Sequence, residues 1–112
     1  MESRDFPARV AAFQFAAALE RYEMDLRSLA LPWRDLGLLR RLRREFGQLR
    51  MMGASLPPLS VAWVAVLVSR DRLLQALHAR TGRAAAALQE HLVSVEDLRT
   101  RCLHLLVRRE FA

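Results

Sequence analysis

The chain has 112 residues, 53% of them hydrophobic, with 4 Gly, 4 Pro, 1 Cys and a formal net charge of +6. That length supports one domain (1–112) and excludes a multidomain machine, while the apolar content excludes disorder, collagen-like repeats and a loop-rich sandwich. A single cysteine excludes an internal disulfide framework.

The first element expected is a helix from about Pro7 to Ala30, with Asp5 as its N-cap and Pro7 in its first turn. Phe15, Leu19, Tyr22, Leu26 and Leu29 recur at spacings of three and four, so they share one helical face. Glu23 and Arg27 form an i, i+4 pair on another face, within an ordinary surface mosaic that includes Glu20. Leu31-Pro32 ends the element, because the residue before proline is pushed out of helical angles.

A second helix is expected from about Trp33 to Met52. Its buried stripe is Leu39, Leu42, Phe46 and Leu49, widened by Leu38. Gly53-Ala-Ser-Leu-Pro-Pro breaks the chain, with Gly53 suited to a left-handed helix stop. The third element, from about Pro58 to Thr81-Gly82, carries Val61–Val68, which is apolar on every side. β-Branched residues in it favour a strand. Helix is the expectation, because Leu59, Trp63, Val66, Leu73 and Leu77 keep one phase and no second strand-like run offers a pairing partner.

A short Ala-rich helix, Arg83–Leu92, comes next. Ser94 with Asp97 then reads as a variant capping box opening a fifth helix from Val95 to about Glu110, which buries Val95, Leu98, Cys102, Leu105 and Leu106. Arg108 and Arg109 fall in its last turn, where they complement the helix dipole. The predicted fold is therefore all-α: an antiparallel bundle of four to five helices, forming a dimer.

Helix two carries the main candidate site. All 18 basic residues are Arg, which GC-rich coding explains as simply as function does, but the surplus of positive charge still favours polyanions or an acidic partner. Arg40, Arg41 and Arg44 face away from the apolar stripe. They are assigned, with Phe46 and Trp63 as apolar anchors, to binding an acidic protein; the anchors hold only if exposed. The alternative assigns Arg40, Arg41, Arg44 and Arg50 to nucleic-acid phosphates. A helix-turn-helix does not support that alternative: with Gly82 at the turn, His78, Arg83 and His91 fall where small or aliphatic residues are needed.

Other chemistry lacks parts. His78, His91 and His104 are expected at the surface or at helix ends, and Cys102 in the core, so no metal site is expected. Ser55, Ser60 and Ser69 are assigned to capping or turns. No Gly-x-Ser-x-Gly, phosphate-cradling Gly-rich loop or His-Glu-x-x-His occurs. No catalytic residue and no cofactor are expected. Val61–Val68 is far short of the roughly 20 residues of a membrane span, and no leader pattern is seen, so a cytoplasmic protein is expected.

The apolar excess decides the functional expectation. Average domains carry about 45–50% apolar residues with Gly counted, and this chain exceeds that before Gly is added. The surplus, including Trp33, Trp63, Phe13, Phe46 and Phe111, is expected to form an interface with a second copy or a partner. The expected function is a small non-enzymatic regulator acting by protein–protein contact, as a homodimer that occludes or bridges a larger, acidic protein. Placing that protein in the transcription apparatus rests on size and class alone.

Overall fold

The computed structural model describes residues 2–29, 35–79 and 82–108. Among these the chain forms α1 (Glu2–Arg27), α2 (Leu36–Gly53), a 3-10 turn (Pro57–Leu59), α3 (Ser60–His78) and α4 (Ala84–Arg108), with no strand. Val61–Val68 is helical, as its phase predicts. Among the described residues, no helix is long and apolar enough to cross a membrane. Trp33, Arg109, Phe111 and the expected stop at Leu31-Pro32 lie outside the described residues.

Boundaries differ from expectation for identifiable reasons. α1 begins at Glu2, so Asp5 lies within the helix rather than capping it, and Pro7 is interior. The proline removes one i→i−4 donor close to the helix start. The side-chain cap belongs instead to α2, where Asp35 Oδ1 accepts the Leu38 N–H at 3.0 Å. Asp35→Ala is expected to cost about 1 kcal/mol, and Asp35→Asn a fraction of that; urea midpoints of the two variants check it.

Gly53 is not a left-handed stop. It is the last residue of α2, and Ala54 after it keeps right-handed angles (φ −62°, ψ −23°). A Cβ there would make ordinary van der Waals contact, 3.4 Å from the Phe15 ring and 3.8 Å from Trp63. The chain then tightens through Leu56 N–H to the Gly53 carbonyl and Leu59 N–H to the Leu56 carbonyl.

The expected fourth and fifth helices are one, α4. Ser94 Oγ donates to the Glu90 carbonyl at 3.1 Å, so the hydroxyl is satisfied inside a helix and does not cap a new one. The buried face runs unbroken through His91, Val95, Leu98, Cys102 and Leu105.

α4 packs against both α1 and α3, and α2 lies against α1. Contacts climb α1 as they descend α4: Arg9 Nη2 donates to the Leu106 carbonyl at 3.4 Å, Cys102 Sγ to the Ala12 carbonyl at 3.1 Å, and Arg99 Nη2 to Glu23 Oε2 at 3.4 Å. Glu23 is thus buried between α1 and α4 rather than part of a surface mosaic, and it also lies 3.8 Å from Arg27. Phe15, Leu19, Tyr22 and Leu26 of α1 meet Leu42, Phe46 and Leu49 of α2, Val66 of α3 and Leu98 of α4 in one core. Leu38, not Leu39, supplies the N-terminal end of the α2 stripe.

Candidate functional site

α2 has a dry side and a cationic side. Leu38, Leu42, Phe46 and Leu49 are buried, and Arg40, Arg41, Arg43, Arg44 and Arg50 are exposed. The arginines are not equivalent. Arg41 Nε lies 3.3 Å from Asp25 Oδ2 of α1 and is occupied by that contact. Arg40, Arg43, Arg44 and Arg50 have no ion pair or hydrogen-bond partner among the described residues. Four positive charges along one helix are left without a counter-charge among the described residues.

Asp25 also faces Glu45. Burial, a hydrogen bond with Asp25 and the Asp25 charge push the Glu45 carboxyl up to about 7. Its buried Oε1 finds no donor among the described residues, which disfavours the charged carboxylate there. Arg41, 3.3 Å from Asp25, joins the same α1–α2 contact. Of the predicted site residues, Arg41 thus meets a carboxylate of α1 while its side chain stays 52% exposed.

Of the two predicted anchors, Phe46 is core and Trp63 lies half-buried at its edge. Phe46 is buried and stacks on Trp63 (centroids 5.5 Å apart), which meets Phe15 edge-on at 6.2 Å. Trp63 is half-buried against the same cluster. Arg70 of α3 lies over the Phe46 ring, 4.1 Å from its centroid, capping the stack with a cation. Phe46 sits on the stripe opposite the arginines, so one helix cannot present both to a partner.

A polar group missed in the sequence lies at the centre. His91 is fully buried, neither at the surface nor at a helix end, and Ser69 is buried in mid-α3 rather than at a break. Tyr22 Oη is 2.8 Å from His91 Nε2, and Ser69 Oγ is 2.8 Å from Nδ1. Ser69 donates its hydroxyl to the Val66 carbonyl at 3.0 Å, so its oxygen accepts from Nδ1–H. Nε2 is left as the acceptor for the Tyr22 hydroxyl. One neutral tautomer satisfies every member, joining α1, α3 and α4. Burial first, and the Arg70 charge second, lower His91 to about 4. Burial raises the Tyr22 phenol well above its ordinary value, and Arg70 partly offsets the rise.

The remaining apolar surplus is outside. Val61, Val64 and Val68 of α3 are 84%, 55% and 45% exposed, on the face of α3 opposite its buried residues. No protein family, no curated protein and no solved structure matches this chain.

Proposed function

We propose that the protein is a non-enzymatic, cytoplasmic protein-binding module that acts as a homodimer and occludes or bridges a larger acidic protein. The observation that supports this is the outward face of α3. Val61, Val64, Ala65 and Val68 follow an i, i+3, i+4, i+7 pattern, all four exposed. That is the spacing of a helix-on-helix seam, and small β-branched side chains let backbones approach. In this reading the four helices form an antiparallel bundle, with α3 on its outside and free to pair with α3 of a second copy. Affinity comes from the valines, and the unpaired arginines of α2 steer and orient an acidic target.

Sedimentation equilibrium tests the dimer. Wild type is expected to sediment as a dimer and Val64→Glu/Val68→Glu as a monomer with an unchanged helical circular dichroism spectrum. A wild-type monomer at high concentration overturns the reading.

A second reading, nucleic-acid binding, is favoured by the same four unpartnered arginines, Arg40, Arg43, Arg44 and Arg50. It requires retention of a duplex that weakens steeply with salt, by a slope near the number of phosphates contacted. Retention must also fall in Arg40→Ala/Arg44→Ala.

A further inference from the structure

Gly47 lies in the interior of α2, where glycine costs roughly 1 kcal/mol against alanine. Nothing in the fold requires it. It is exposed, and an added Cβ would meet no atom of the described residues within 4 Å. At Gly53, by contrast, an added Cβ would meet the Phe15 and Trp63 rings in ordinary van der Waals contact. The open side of Gly47 faces outward, away from Leu42, Phe46 and Leu49.

Its neighbours define a surface. At about 100° per residue, Gly47 falls between Arg43 and Arg50 on one flank and Arg40 and Arg44 on the other. All four are exposed and unpaired among the described residues. Leu36 and Met51, 65% and 80% exposed, stand near the two ends of the same outward face. They are about 22 Å apart along the axis at 1.5 Å per residue. A small central residue, apolar ends and like charges on both flanks make up the pattern of one half of a helix pair. In such pairs the seam sets the approach distance, and the flanking charges choose the partner.

We infer that the outward face of α2 seats an acidic helix, its backbone crossing at Gly47 and its carboxylates paired with Arg40, Arg43, Arg44 and Arg50. This rests on the reading of the chain as a protein-binding module and assigns the partner's chemistry. Charge complementarity determines the choice of occupant. A second copy of α2 brings arginines against arginines. A nucleic-acid backbone satisfies the arginines but gives Leu36 and Met51 nothing apolar to cover. Arg suits carboxylates on both flanks because its guanidinium engages them in bidentate fashion.

The test uses the full-length protein and a labelled amphipathic peptide, long enough (more than about 15 residues) to be helical. The peptide has an Ala/Leu seam flanked by Glu. A Lys-for-Glu version and a random-sequence DNA duplex serve as comparisons, with fluorescence anisotropy as the readout. The Glu peptide is expected to bind and the Lys peptide not to bind. Gly47→Leu, which fills the saddle with a good helix former, is expected to weaken binding about tenfold or more at unchanged helicity. Three results overturn the inference: Glu-peptide binding indifferent to Gly47→Leu, retention of the duplex without the Glu peptide, or retention of neither. The Val64→Glu/Val68→Glu variant separates this from the dimer, because its effect on sedimentation does not depend on the α2 face.

Discussion

Phe46→Ala is expected to cost about 3–5 kcal/mol, the range for truncating a large buried aromatic. The ring is 2% exposed and is the point where the elements meet: Trp63 stacks on it at 5.5 Å, Tyr22 lies at 5.6 Å and His91 at 6.4 Å. Truncation removes those contacts and strips Arg70 of the face it covers. The hole opens beside a hydrogen-bonded tyrosine and histidine, and it separates α2 from α3, which meet through this stack. Urea unfolding and near-ultraviolet circular dichroism give the readout. A lowered midpoint with weakened aromatic signals is expected. Unchanged stability with lost partner binding would instead restore Phe46 to the anchor role read from the sequence.

Lowering the pH from about 6.5 to about 4 is expected to remove about 3 kcal/mol through His91 alone. The unfolded histidine titrates near 6.5 and the folded one near 4. Across that window the unfolded chain binds the extra proton, so stability falls as pH falls and levels off below about 4. The chemistry is specific. An added proton turns Nε2 from acceptor into donor, setting two hydrogens between it and Tyr22 Oη, in a site shared with the Arg70 cation.

Glu45 acts in the opposite sense. Its acid is raised from 4.5 to about 7 in the folded state, so the folded chain holds that proton more tightly. This contribution is present in acid and is lost as pH rises from about 4.5 through 7. The two slopes overlap, and Glu45→Gln exposes the His91 limb by itself. In that background, Tyr22→Phe/Ser69→Ala/His91→Leu removes every member of the network and is expected to abolish the slope between pH 6.5 and 4, measured by urea midpoints. A slope that survives the triple replacement assigns acid sensitivity to another group.

These cases also show what the sequence holds. Apolar spacing located the buried faces of α1, α2 and α4 because three- and four-residue steps follow directly from helix geometry. It also resolved Val61–Val68 as helix. The division at Ser94 failed because a serine hydroxyl can bond its own helix as readily as cap another. His91 and Ser69 were misplaced by residue type, although their positions keep phase: Ser69 lies between Val66 and Leu73, and His91 four residues before Val95. Phase alone would have placed both inside, but the sequence does not show that Tyr22 from α1 and Ser69 from α3 converge to satisfy both nitrogens of a buried histidine. The arginine face was legible as composition. Which of its charges is neutralised was not, because Asp25 reaches Arg41 from another helix.

The pairing of α1 with α4 also governs how the chain reaches its native state. Cys102 meets Ala12 across 90 positions, and Arg9 meets Leu106 across 97. Helical proteins usually fold fast because their contacts are local, whereas here a large loop must close before the most distant segments gain from one another. Contact order is thus raised within an all-helical topology, and refolding slows relative to bundles in which only sequence neighbours dock.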